Sequence, residues 1–306
     1  NSVTKLGETS QVSSLMYMST PHRSTRMSIT ANPKAPGKNT QPPKRDKLML
    51  QDADLGLGKV RLKLGFQDVG EDFAGFASMR ESKSAPDDVL AMLEKEKGIK
   101  RMSFAAEVPS AGGALNLSMG RIEDKGDEIS TRAASYSTDR VKLDFSTREV
   151  GRGFTRFKSL READAAQMAA EAGLKRSSYG LQFRTGAGAD GAPVWSGLRF
   201  TELEGDTGSL SWRSADLDLG MVKVQADVRK MDPQFNRMAA LTDEERTRMA
   251  LIARRQFNPA ALASDVTAQD KAKVNQEAGL DRSSYLVRVD DSWLSLSSVD
   301  SEKGGL

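Results

Sequence analysis

From Val60 the chain alternates. Val60, Leu62, Leu64 and Phe66 are apolar, and Arg61, Lys63, Gly65 and Gln67 between them are not. Period two is the pattern of a β-strand with one apolar and one polar face. It returns at Val141, Leu143 and Phe145 against Lys142, Asp144 and Ser146. It returns again at Val222, Val224, Ala226 and Val228 against Lys223, Gln225, Asp227 and Arg229. These three strands start 81 residues apart, at positions 60, 141 and 222, and Phe73, Phe154 and Phe235 follow at the same spacing. A period this long predicts one supersecondary unit used several times.

After each Phe anchor the pattern changes to a helical one. Residues 87–97 carry Val89, Leu90 and Leu93 on one side, and residues 161–172 are rich in Ala and Glu, which favour helix. Thr242-Asp-Glu-Glu245 reads as a capping box, and a second helix is expected over residues 267–278. Each helical stretch ends in one motif, E-x-G-[IL]-x-R-x-S-[FY]. Its copies are Glu96, Gly98, Arg101 and Ser103; Glu171, Gly173, Arg176 and Ser178; and Glu277, Gly279, Arg282 and Ser284. Gly followed by an aliphatic residue is a C-cap, because Gly enters the left-handed region at no steric cost. The motif therefore stops a helix and launches a strand, and its Glu and Arg are placed to pair across the turn.

The unit that results is four strands and one helical insertion, in a mainly β, antiparallel up-and-down sheet. The expected divisions are residues 1–58, the end of a preceding repeat with a mobile Pro/Lys-rich loop over 30–47; 59–139, repeat 1; 140–220, repeat 2; and 221–306, repeat 3, with an enlarged helical insertion. Both ends of the sequence fall inside a unit, so a longer array is expected.

Such strands need their apolar face covered. One cover is lipid: membrane β-strands are ~9–11 residues long, apolar outward and polar toward a wet lumen. The inward row is then Lys63, Gln67, Lys142, Asp144, Arg148, Lys223, Asp227 and Arg229. In this architecture the chain resembles bacterial outer-membrane β-barrels. That resemblance implies a lipid-bilayer partner, an outer-membrane location and a porin-like passage or envelope role. Its aromatic girdle is thin, with Trp195, Trp212, Trp293, Tyr179 and Tyr285 as candidates. The other cover is the protein's own helices, which makes a soluble or cell-surface repeat scaffold that binds other proteins. The two readings differ in whether the apolar face is bare or covered.

Composition narrows the chemistry. Cysteine is absent and His22 is the single histidine, which leaves no residues for Cys-His or Ser-His-Asp catalysis or a zinc site of N/S ligands. Residues 1–47 hold eight Lys/Arg against Glu8 and Asp46, a balance of +6, so the remainder carries −3 of the total +3. A nucleic-acid binder concentrates positive charge on its folded part, and this chain does the reverse. Gly186-Ala-Gly-Ala-Asp-Gly191 fits a dinucleotide fingerprint, but it lies between strands with Pro193 following, so a hairpin turn is expected. The turn carboxylates Glu123, Asp124, Asp127 and Glu128 read as solvated turn residues. The sequence thus points to no catalytic, cofactor or metal site, and to a non-enzymatic protein.

Overall fold

A computed structural model describes residues 2–6, 10–14, 23–33, 47–110, 112–188, 191–258, 260–290 and 292–301. The protein is mainly β: twelve antiparallel strands follow one another up and down. They are β4 (Leu48–Leu57), β5 (Val60–Val69), β6 (Ile99–Ser110), β7 (Gly113–Asp124), β8 (Asp127–Thr138), β9 (Val141–Val150), β10 (Leu174–Ala187), β11 (Pro193–Gly205), β12 (Gly208–Asp218), β13 (Val222–Met231), β14 (Leu280–Val289) and β15 (Ser292–Ser301). Three strands precede them: β1 (Ser2–Leu6), β2 (Ser10–Ser14) and β3 (Arg23–Pro33). Strand order follows chain order from β1 to β15, and the sheet is open.

The upstream strands depart from expectation. Residues 30–33, expected in a mobile loop, are the end of β3: Thr30 and Ala31 pair with Met49 and Leu48, and Asn32 and Pro33 with Gln11 and Ser10. Backbone pairing on both sides overrides the Pro signal there. The rest of that expected loop, 34–46, lies outside the described residues, as does His22.

Among the described residues five α-helices interrupt the strands: α1 (Phe76–Glu81), α2 (Asp87–Lys95), α3 (Ala165–Ala170), α4 (Asp243–Arg255) and α5 (Ala268–Val274). Helix α4 starts with the expected capping box, Thr242 accepting from the Glu245 N–H while Glu245 accepts from the Thr242 N–H. Helix α1 precedes the helix expected over residues 87–97 and has no counterpart among the elements that the sequence predicts.

Each helical excursion is pinned at its base by the same backbone bonds. The N–H groups of Gly98, Gly173 and Gly279 donate to the carbonyls of Val69, Val150 and Met231, the last residues of β5, β9 and β13, at 2.6, 2.7 and 2.9 Å. The three glycines have φ of 82°, 78° and 81°, a region in which an L side chain is strained. A Cβ on Gly98 would also lie 3.1 Å from Arg156 Nη1. Gly98→Ala is therefore expected to cost about 1–2 kcal/mol, read as a lowered midpoint of denaturant unfolding. Just upstream, the N–H groups of Phe73, Phe154 and Phe235 close turns onto the carbonyls of Gly70, Gly151 and Asp232. All three rings are buried.

The chain divides into two compact units, each described by itself. One comprises Asn1–Ala133 with Gly151–Ala169, the other Ala134–Val150 with Ala170–Leu306. This division cuts within β8. The core of the first unit gathers Leu48, Val69, Phe73, Phe76, Met79, Leu90 and Leu93, and Phe73 meets Phe76 edge-on at 4.9 Å. The core of the second gathers Leu174, Leu203, Leu210, Trp212, Met231 and Phe235 with Met249 and Ala250 of α4 and Val274 of α5.

Candidate functional site

The register sorts the strands' side chains into two faces. In the first unit, Leu64 pairs with Ala53 and Phe104, and Phe104 with Met119. These residues share one face with Val60, Leu62, Phe66 and Met102. Much of this face is open to solvent: Leu64 is 44%, Met102 42% and Met119 51% exposed. In the second unit, Phe145, Tyr179, Phe200 and Arg213 form one row across β9–β12. Adjacent ring centroids lie 5.1 and 5.7 Å apart, and the Arg213 guanidinium stands 5.4 Å from the Phe200 ring. The parallel row Leu143, Leu181, Leu198 and Ala215 leaves Leu143 and Leu198 nearly half exposed. In each unit the apolar row of the alternation is thus the uncovered one.

The helices sit on the other face. That row ends, near the helices, in apolar residues that join the cores: Val69 on β5, Leu174 on β10, Leu203 on β11 and Met231 on β13. Inward from these ends comes a layer of buried ion pairs. Glu96 accepts from Gln67 Nε2 at 2.5 Å and from Arg101 Nη2 at 2.5 Å. Glu171 accepts from Arg148 Nε at 2.6 Å and Arg176 Nε at 2.7 Å. Glu277 accepts from Arg229 Nη1 at 2.8 Å, with Arg282 Nη2 at 3.4 Å. The pairing of Glu and Arg across each turn is as the motif suggested. The third member, at positions 67, 148 and 229, comes from the row expected to face a lumen.

That row is accordingly not of one kind. Lys63, Asp144 and Lys223 are exposed and Lys142 is half-buried, its Nζ 4.1 Å from the Trp195 ring centroid. Gln67, Asp227 and Arg229 are buried and Arg148 is half-buried. Asp227 accepts from the Trp212 indole N–H and lies 3.0 Å from Arg229 Nε. The motif serines differ as well. Ser103 stands opposite Gly65, Ser178 opposite Ser146, and Ser284 accepts from Gln256 Nε2 of the α4 exit at 2.7 Å.

Two kinds of contact go beyond what the motif by itself predicts. Arg101 also donates to Glu162, and Arg176 to Glu245 at 2.6 Å, so these two motif arginines each hold a second carboxylate from the next helical insertion. Arg156 donates to the carbonyls of Lys97 and Lys95, and Arg237 to those of Ala172 and Ala170. Both arginines cap the exposed carbonyls of a preceding helix exit. Arg156 and Arg237 are 81 residues apart, each two after its Phe anchor, and that spacing was the available signal.

Two cavities open between helices and sheet. One of about 300 Å³ lies beside Arg101, Glu162, Gly65 and Met92 in the first unit. One of about 390 Å³ lies beneath α4 in the second, between Arg248, Leu251 and Ile252 and the strand residues Gln225, Asp227 and Ser284. Among the described residues no group of three or more His, Asp or Glu is placed to hold a metal ion. Gly188 and Gly191 lie in the β10–β11 turn, with the Gly188 N–H bonded to Ala192 and that of Gly191 to Gly188. Among the described residues no helix is long and apolar enough to cross a membrane.

No protein-family model, curated protein or solved structure matches this chain.

Proposed function

We propose that the chain is a non-enzymatic β-barrel wall, built from ~81-residue repeats, in a bacterial outer membrane. There it serves passage of polar solutes or envelope structure. One observation carries this reading: across β5–β7 and across β9–β11 the apolar row holds side chains 42–51% exposed, while the helices occupy the polar side. Water gives no reason for that arrangement, since contiguous bare apolar surface is costly and marks an interface. Lipid does, because an up-and-down barrel turns its apolar row outward and its polar row to the lumen. Strands of 10 residues, such as β5, β9 and β13, match the ~9–11 that span a bilayer. Lys63, Lys142, Asp144 and Lys223 would line the wet side, and the helices would stand within it at one end.

On this reading the protein requires detergent to stay dispersed, and planar bilayers containing it show discrete conductance steps. A monodisperse preparation obtained without detergent would sink the proposal. The second reading is a cell-surface repeat scaffold whose bare face docks on another protein. It rests on the same exposed rows, and dispersal only after addition of a protein partner would select it.

A further inference from the structure

The cavity beneath α4 differs in its charges from the one in the first unit. A motif serine lines each, Ser284 beneath α4 and Ser103 in the first unit. At the first-unit cavity Arg101 is held by Glu96 and Glu162, and Arg121 by Glu123 and Glu128. Arg161, the remaining cation there, is exposed. Helix α4 is longer, with 13 residues against 9 in α2 and 6 in α3. Its Arg248 and Arg255 stand seven residues, about two turns, apart, so they share the face turned to the cavity, with Leu251 and Ile252 between them. The Arg248 guanidinium stands 5.8 Å from the Trp212 ring centroid. Arg255 donates from Nε to the Ala261 carbonyl at 3.0 Å and from Nη1 to Gln225 Oε1. Among the described residues neither arginine is in an ion pair.

Both arginines are half-buried. Burial holds the Arg255 pKa below its ordinary value; Asp216 opposes that shift, and the like charge of Arg248 adds to it. The carboxylates at the wall are answered elsewhere or stand in water. Asp227 has the Trp212 indole N–H and Arg229. Glu244 is exposed and lies 3.5 Å from Arg199. Asp216 is exposed and accepts from Gln225 Nε2 at 3.4 Å. Two guanidiniums without a counter-ion therefore stand at the ends of an aliphatic wall. The floor is interior sheet, since β12, β13 and β14 are each paired on both sides. A cavity of about 390 Å³ is of the size that holds a small ligand, and such sites join apolar walls to a few placed polar groups.

We propose that the cavity beneath α4 binds a small organic carboxylate with a compact apolar body. The carboxylate is taken by the guanidiniums of Arg248 and Arg255, whose planar N–H groups match its two oxygens. The apolar body lies against Leu251 and Ile252. A bound anion offsets the burial of Arg255 and the repulsion between the two arginines. A neutral ligand of the same shape does neither, and a cation adds to the repulsion. The site stands on the helix-bearing side of the sheet, so it does not depend on whether lipid or protein covers the bare rows.

The test titrates 3-phenylpropionate into the full chain by calorimetry, with a non-ionic detergent if one is needed to keep the chain monodisperse. Saturable one-to-one binding is expected, with half-saturation below about 1 mM. The neutral 3-phenylpropionamide should bind about tenfold or more weakly, as should 3-phenylpropionate to Arg248→Met and to Arg255→Met. Absence of saturable binding, equal binding of acid and amide, or acid binding untouched by both substitutions overturns the proposal. A third variant, Leu251→Trp, fills the cavity from the helix and keeps both arginines. It should abolish binding, and binding that survives it also overturns the proposal, even where an arginine variant fails to fold. A chain that binds the acid yet needs no detergent keeps this site and loses the membrane reading. Conductance without such binding does the reverse.

Discussion

Arg101→Ala is expected to destabilise the first unit by about 3–5 kcal/mol, the range for removing one partner from a buried ion pair. Glu96 is fully buried, and once Arg101 is gone Gln67 is the one side chain shown bonded to it. Glu162 loses its partner in the same step. The comparison with Arg176→Ala makes this specific. Glu171 keeps Arg148 when Arg176 is removed, so its carboxylate is never left without a cation and the loss is expected to be smaller. Replacing both members, Glu96→Gln with Arg101→Met, should restore most of the stability, because the cost lies in the uncompensated charge. Denaturant unfolding of the four proteins in one medium checks the order. Equal losses for Arg101→Ala and Arg176→Ala would show that the buried carboxylate is not what the arginines serve.

Leu198→Arg is expected to leave a water-exposed sheet within about 0.5 kcal/mol of its original stability. The same substitution should cost roughly 2–4 kcal/mol if that face meets the middle of a bilayer. Leu198 is 48% exposed and sits in the apolar row of β11 between Leu181 and Ala215. In vesicles without a protein partner, a guanidinium entering hydrocarbon is what makes so exposed a position costly. Unfolding from lipid vesicles, compared with Leu198→Met as a size-matched control, gives the difference directly. Equal stabilities for Arg and Met in vesicles would remove lipid as the cover of this face.

Much of the fold was legible in the sequence, and for identifiable reasons. β5, β9 and β13 were readable because period two leaves a face of one chemistry. The helix exits were readable because Gly98, Gly173 and Gly279 stand where only a left-handed residue turns the chain. Helix α1 was hidden: Phe76 and Met79, its buried residues, read equally well as loop anchors, and six residues are too few to show a period. β3 was hidden behind Pro33 and the polar residues around it, since pairing with neighbours on both sides outweighs local preference there.

The site was readable only in pieces. The Glu and Arg of each motif are five residues apart and meet across a turn the sequence already implied. Gln67, Arg148 and Arg229 are 23 to 48 residues from the glutamates they join, so only the folded sheet brings them there. Alternation by itself determined that β5, β9 and β13 each have an apolar and a polar row, and the Gly-x-x-Arg spacing determined where each excursion returns. Which row the excursions cover was decided by the tertiary structure. The glycine N–H groups bond to the last carbonyls of β5, β9 and β13, and the final side chains of the polar row, Val69, Val150 and Met231, are the apolar ones. The helices pack on those ends, and the apolar row on the opposite side is left bare.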